Sequence, residues 1–427
     1  MIWTRPPPPA CKRAAGAMTR RLDVRLDFAD GGPAVRVGRL GRDPATRTTV
    51  LEWDGDFARA PLPILPLGHR HDGLLRPDAT RRASLPGLFE DSLPDGWGRL
   101  LLDREMAARG ISRATIGDLE RLAFVGRHGT GALSYTPETG DQASGAIDLG
   151  WFEDIIPRIE DGASADDLTR LRAISGGSQG ARPKFVAQMN ATGALRSHRA
   201  PLDPGWRQVL IKARAASDPP GSIQAELAYG TAMRRAGIET SPMARMDGAR
   251  EPFFATDRFD RPGAERLHMA TVAGLLDCGM VHGAVDYTDL VKLAKHLCRD
   301  ARAVEQVFRR MVFNVRAFNR DDHVRNHAFL MGRAGQWRLA PAYDVSFSDG
   351  PGGEHSLAIA GEGRAPGRAA LAEVARLAGI KPRQRDAIIG DIDAALATWP
   401  DLARDHGVPS GLAQRIGAAI AQARGWD

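Results

Sequence analysis

The chain has 427 residues, 43% hydrophobic and 26% charged, a globular composition with enough material for two or three domains. Its net charge is +6, and three of the surplus positive charges, Arg5, Lys12 and Arg13, fall in the first 17 residues, so the rest is only mildly basic and carries no Lys/Arg cluster suited to direct nucleic-acid binding. No apolar run nears the roughly 20 residues of a membrane helix, and Cys11, Cys278 and Cys298 lack CxxC or zinc spacing, which points to free thiols in the cytoplasm.

Residues 1–17 form a proline run without the apolar core of a signal peptide; the expectation is either a disordered leader or a natural start at Met18. Residues 18–70 alternate apolar and polar in LDVRLDF, AVRVGRL and TTVLEW, which predicts short strands joined by turns such as Asp30-Gly31-Gly32. An amphipathic helix is expected from Trp97 to about Arg109, after the punctuation of Pro94 and Gly96. Residues 151–170 carry a helix. Residues 172–260 predict strand, Gly-rich turn, strand, strand, helix, strand, with Ser222 as N-cap and Gly237 just past the C-terminus of the helix. From about Thr271 onward the chain is mostly helical, including YTDLVKLAKHL and AVEQVFRRMVFNVRAF.

Four motifs carry chemistry. The first is Gly176-Gly177-Ser178-Gln179-Gly180, where glycines let backbone N–H groups approach phosphates, although a tight hairpin explains it equally. The second is Lys212, in the apolar strand VLIKAR. It needs an anion or water; Glu226, 14 residues on, is the natural partner, and a surface lysine is the alternative. The third is Asn319-Arg320-Asp321-Asp322-His323-Val324-Arg325-Asn326, whose D-x-x-x-x-N spacing puts a proton acceptor and a metal-binding amide on one loop. The fourth is Asp344, 18 residues beyond Asn326, a second hard oxygen ligand for Mg²⁺ or else a helix cap. The order Gly-rich turn, Lys, Glu, Asp-x4-Asn, Asp is the order that phosphoryl-transfer kinases use.

With these phrases, and with LPDGWGRLLLDR, RFDR at Arg258–Arg261 and LAPAYDVS, the chain resembles the HipA family from about Met18 to the C-terminus. The resemblance implies an α+β, two-lobed protein-kinase-like fold with a small β-rich N-terminal subdomain (18–150), a kinase N-lobe (151–265) and a mainly helical C-lobe (266–427). It implies an ATP- and Mg²⁺-dependent serine/threonine kinase, the toxin of a toxin–antitoxin pair, acting on a protein such as an aminoacyl-tRNA synthetase. A HipB-like helix-turn-helix antitoxin would supply DNA binding. By position, Asp321 matches the catalytic base and His323 an orienting residue. Asn326 and Asp344 match the metal ligands, Lys212 with Glu226 the phosphate grip, and Asp257 to Phe259 the adenine hinge.

Two departures stand out. Where the family has an autophosphorylated serine in Ser-x-x-Gly-Ala-x-x-Lys, alignment on Gly180, Ala181 and Lys184 places Gly177, so autophosphorylation is expected at Ser178 or Ser175. The residue after the base is Asp322, where relatives often have a small residue. It is expected to perturb the base or phosphate, or to point into solvent. The rival readings are a metal-dependent phosphoesterase, a catalytically silent subunit of a repressor complex, and a small-molecule kinase.

Overall fold

The computed structural model describes residues 21–426 except 69, 82, 95, 109–111, 113–115, 140–144, 162, 176–179 and 280–282. The expected leader and start therefore lie outside the described residues, as do Gly176, Gly177, Ser178 and Gln179.

Three alternating segments become β1 (Arg21–Leu26), β2 (Val35–Arg42) and β3 (Thr49–Trp53). After α1 (Gly55–Arg59) come β4 (Leu74–Leu75), α2 (Gly87–Glu90), α3 (Gly96–Ala108), α4 (Asp118–Val125) and β5 (Leu133–Thr136). The strands form an antiparallel sheet in the order β4-β3-β2-β1-β5. Leu22, Val24 and Leu26 alternate inward along β1, as a half-buried strand requires.

The next segment departs from expectation. Instead of one helix there are α5 (Leu149–Ile155) and α6 (Arg158–Asp161), separated at Pro157, where a ring without an N–H interrupts the ladder. The strand expected before the Gly-rich turn is helix α7 (Ala165–Ser175). Leu168, Leu171 and Ile174 give it a 3-to-4-residue apolar repeat that packs on the second sheet.

That sheet comprises β6 (Lys184–Asn190), β7 (Leu195–Ser197), β8 (Trp206–Lys212), β9 (Met243–Asp247) and β10 (Pro252–Asp257), antiparallel in the order β7-β6-β8-β10-β9. Helix α8 (Ser222–Arg235) follows β8. Its N-cap is Gly221, at φ +88°, and Ser222 is its first residue, a correction to the expected cap. A Cβ on residue 221 would meet Pro409 Cδ at 2.1 Å, so packing selects glycine there. The C-terminus is as expected: Gly237 has φ +71°, its N–H donates to Arg234 O (3.1 Å), and Ile238 N–H donates to Met233 O (2.9 Å).

The C-terminal part holds β11 (His268–Thr271), α9 (Val272–Leu276), α10 (Tyr287–Cys298), α11 (Ala301–Arg316), β12 (Ala328–Met331) and β13 (Trp337–Leu339). Helices α12 (Arg368–Ala378), α13 (Pro382–Ala397), α14 (Trp399–Asp405) and α15 (Ser410–Arg424) complete it. The three strands form a small antiparallel sheet, β11-β12-β13, within the helical region. One large apolar core joins the first sheet to α8, α10, α11 and α12–α14. A second core lies under the β6–β10 sheet and takes Trp97 and Leu101 from α3, so packing does not follow a boundary at residue 150. The architecture is α+β: a β-rich N-terminal region, a five-stranded lobe and a helical lobe.

Candidate active site

Strand alternation builds the roof of a cleft between the second sheet and the helical lobe. In β6, Phe185, Ala187 and Met189 enter the core against α5 and α7, while Lys184 and Val186 line the cleft. In β8, Val209 and Ile211 go to the core while Leu210 and Lys212 line the cleft. In β10, Phe253 and Ala255 go inward while Phe254 and Thr256 face the cleft. The cavity is about 420 Å³, within the range of ligand pockets.

Lys212 is 4% exposed and does not reach the surface. Its Nζ donates to Glu226 Oε1 at 2.7 Å and to Asp344 Oδ1 at 2.6 Å, 5.3 Å from the centre of the Phe254 ring. Burial by itself would deprotonate the lysine, but Asp344 and Glu226 outweigh it and hold its pKa above the ordinary value. Conversely, Lys212 keeps the Asp344 carboxyl well below the usual carboxylate range, against burial and with help from Lys184.

A hairpin joins the two acidic motifs. Strand β12 follows the loop 319–326 and β13 leads to Asp344; Ala340 N–H donates to Ala328 O at 3.0 Å, so the loop end and Asp344 emerge together. Asn326 Nδ2 donates to Asp321 O (2.8 Å), closing the loop, and Asn326 lines the cleft. The Tyr343 hydroxyl donates to Arg325 O (2.6 Å), and its ring packs on Phe259 with centroids 5.4 Å apart. Asp344 has φ +55°, an unusual conformation for a non-glycine residue and the kind of local strain found at functional sites. It caps no helix.

The Asp321 side chain is about half exposed, with Nε2 of the cleft-lining His323 3.9 Å from its Oδ1, too long for a hydrogen bond. Desolvation raises the Asp321 carboxyl above its ordinary pKa; His323 opposes this and Asp344 adds to it.

Other positions differ from expectation. Asp322 points neither to solvent nor into the cleft but is buried, bonded to Tyr287, His355 and Ser356. The Asp257 carboxylate pairs with Arg207 at 2.8 Å, although the residue itself lines the cavity beside Phe259. Ser175 is 3% exposed and its hydroxyl donates to Leu171 O (2.8 Å) inside α7.

Three features escaped sequence reading. Lys184 stands directly across from Lys212 in the β6–β8 register and lines the same cleft; only that register reveals it. The phrase LPDGWGRLLLDR supports the Gly-rich turn, because Trp97 N–H at the start of α3 donates to Gly180 O (3.0 Å). The RFDR phrase fastens the strand end to the N-terminal subdomain. Its Asp260 accepts from Arg258 and Arg261 (2.7 Å each) and from Gly131 N (2.9 Å).

The donor set bears on the metal. Asn326 and Asp344 offer one amide oxygen and one carboxylate, which suits a hard ion that retains water and phosphate oxygens. Among the described residues, no group of three or more His, Cys, Asp or Glu is arranged to hold a metal.

The HipA-like C-terminal domain family matches residues 176–399, spanning the Gly-rich turn, Lys212, Asp321, Asn326 and Asp344, and the HipA N-terminal domain family matches residues 33–136. The chain belongs to the HipA family. Its fold is similar to that of HipA of Shewanella oneidensis MR-1, solved in complex with HipB and its operator DNA. The TM-score is 0.65 at 17% identity, over 95% of this chain and 96% of that one. A Helicobacter pylori proinflammatory kinase, CtkA, matches at a TM-score of 0.34 and 9% identity, over 52% of this chain and 85% of that one. No curated protein matches the chain. The HipA-family assignment covers both the β-rich N-terminal region and the lobe that carries Asp321 and Asp344.

Proposed function

We propose that this HipA-family chain is an ATP- and Mg²⁺-dependent serine/threonine protein kinase and the toxin of a toxin–antitoxin pair. The observation that carries the reading is Lys212, buried in a nucleotide-sized cleft and shared by Glu226 and Asp344, with Asn326 and His323 in the lining and Asp321 beside His323.

Bound ATP and Mg²⁺ supply the transferable phosphoryl group and the cation that offsets its charge. Lys212 and Lys184 would bind phosphate oxygens, and the Gly-rich segment 176–180 is proposed to assist through backbone N–H groups. Asn326 and the Asp344 carboxylate would hold the metal. Asp321 accepts the proton of the attacking serine or threonine hydroxyl, and its raised pKa makes it a stronger base than an ordinary aspartate. His323 orients it through charge. Asp257 and Phe259 border the adenine end, where Phe254, Met243 and Leu210 supply apolar surface.

A protein of the translation apparatus, such as an aminoacyl-tRNA synthetase, is the proposed substrate, on the strength of the family resemblance. A HipB-like helix-turn-helix antitoxin is the proposed partner and would contact DNA, in keeping with the mild charge of this chain and with the HipB and operator DNA in the related complex. We place the protein in the cytoplasm; no helix among the described residues is long and apolar enough to cross a membrane.

The test is transfer from labelled ATP in a bacterial lysate with Mg²⁺, comparing wild type with Asp321→Asn. A protein band labelled by wild type alone supports the reading. A labelled metabolite without any labelled protein points to a small-molecule kinase. Failure of dephosphorylated wild type to bind ATP or transfer phosphate points to a silent subunit.

A further inference from the structure

Asp322, one of the two departures noted in the sequence, has the most completely satisfied surroundings in the loop. It is 1% exposed, and its carboxylate ends a directed series of hydrogen bonds. Asn319 Nδ2 donates to Asn314 Oδ1 (3.0 Å), Asn314 Nδ2 to the Tyr287 hydroxyl (2.9 Å), and that hydroxyl to Asp322 Oδ2 (2.9 Å). His355 Nδ1 lies 3.0 Å from the same oxygen, and Ser356 N–H donates to Oδ1 at 2.9 Å. The Tyr287 hydroxyl and Ser356 N–H donate to the carboxylate, and the Nδ1–H tautomer of His355 adds a third donor. The side chains of Asp322 and His355 are both fully buried, and a carboxylate in that setting requires such donors.

The consequence reaches the cleft through backbone alternation. Arg320, Asp322 and Val324 are buried, whereas Asp321 is exposed and His323 partly so. Fixing residue 322 inward turns residue 321 outward. Ser356 holds the preceding residue as well, its Oγ and N–H both donating to Arg320 O (3.0 and 3.1 Å). Helix α10, helix α11 and the segment at 355–356 thus grip one short loop from three directions.

We propose that Asp322 and His355 are a positioning pair that sets the 319–326 loop so that Asp321 and Asn326 face the cleft. Neither residue touches the reacting atoms. A small residue at 322 needs no partner; an aspartate there is tolerated because His355, Tyr287 and Ser356 surround it, and the added bonds make the loop stiffer. Burial works to raise the Asp322 carboxyl, and its surroundings, His355 first and Tyr287 with it, outweigh burial and leave it below the ordinary value. The inference rests on the reading of Asp321 as the base.

The experiment pairs amide hydrogen exchange over 319–326, followed by mass spectrometry, with kcat and KM for ATP in transfer to the lysate protein labelled by wild type. Asp322→Asn and His355→Leu are expected to speed exchange in that segment and to lower kcat roughly 10²-fold, the scale of an ångström of misplacement, with KM for ATP nearly unchanged. His355→Asn, whose amide nitrogen stands where Nδ1 stood, is expected to recover most of the rate. Wild-type exchange in Asp322→Asn overturns the proposal, as does equal damage from His355→Asn and His355→Leu. Should Asp322→Asn fail to fold, Tyr287→Phe removes one donor to Asp322, together with the acceptor of Asn314 Nδ2, and carries the same expectation on a smaller scale. If wild type transfers no phosphate, the reading of Asp321 fails, and exchange in the variants still decides whether the pair holds the loop.

Discussion

Lys212 Nζ and Asp344 Oδ1 are 2.6 Å apart although 132 residues separate them in the chain. With Glu226 on the other side, this contact ties the β6–β10 sheet, helix α8 and the helical lobe together at one ammonium group. A buried cation between two carboxylates costs desolvation that the pairing must offset, so each member depends on the others.

Replacing Lys212 with Met should therefore act twice. Phosphate transfer should fall by about 10²–10³-fold, the scale of removing one preorganised electrostatic partner. Stability should fall by roughly 3–5 kcal/mol, because a carboxylate is left buried without its counter-charge. Urea unfolding and labelled-ATP transfer measure the two effects; full transfer by the variant would sink the assignment of Lys212.

Gly180 has φ +101°, and a Cβ there would lie 2.2 Å from Lys184 Nζ. Gly180→Ala should displace that lysine from the cleft and strain the backbone by about 1–2 kcal/mol. Calorimetric titration with ATP and Mg²⁺ should show affinity reduced about tenfold, beyond what the small stability loss explains. Unchanged affinity would mean that Lys184 plays no part in phosphate binding.

The pH profile follows from Asp321. Its carboxyl must be ionised to accept a proton, and its pKa is raised, so the acid limb of kcat/KM should lie above the ordinary aspartate value of about 3.9. His323 lowers that pKa, so His323→Gln should move the limb to higher pH. A shift to lower pH would contradict the electrostatic role given to His323.

Autophosphorylation should map to Ser178 rather than Ser175. The Ser175 hydroxyl is buried and donates within α7, so modification there requires the last helical turn to open. Peptide mapping after incubation with ATP distinguishes the two, and a phosphate on Ser175 alone would overturn this expectation.

Asp91 couples the N-terminal and C-terminal regions close to the cleft residues Arg325 and Tyr343. It follows α2 and accepts from Thr271 N (2.6 Å) and Thr271 Oγ1 (2.7 Å) at the start of α9. Burial pushes its carboxyl up to about 6, against the Thr271 hydrogen bonds. A raised folded-state pKa favours folding most below the unfolded value of about 4, and the contribution disappears as pH rises through about 6. Asp91→Asn should flatten that part of the stability curve in urea titrations; an unchanged slope would show that another group titrates there.

Much of this was legible in the sequence, because each motif is short-range chemistry. The spacing Asp321-x4-Asn326 fixes both groups on one loop. Strand alternation fixes that Lys212 shares a face with Leu210, and Gly237 ends α8 as a left-handed residue should. Packing decided the rest. Ile174 and Ser175 continue α7 because its apolar face meets the second sheet, a contact that local alternation does not encode. Gly221 took the cap from Ser222 because Pro409, nearly two hundred residues away, leaves no room for a Cβ. The direction of Asp322 depended on Tyr287, His355 and Ser356, which come from separate elements. The sequence by itself determined which groups can do phosphoryl chemistry and in what order they occur. Only the tertiary structure decided which of them meet, because register, burial and counter-charge are properties of pairs distant in the chain.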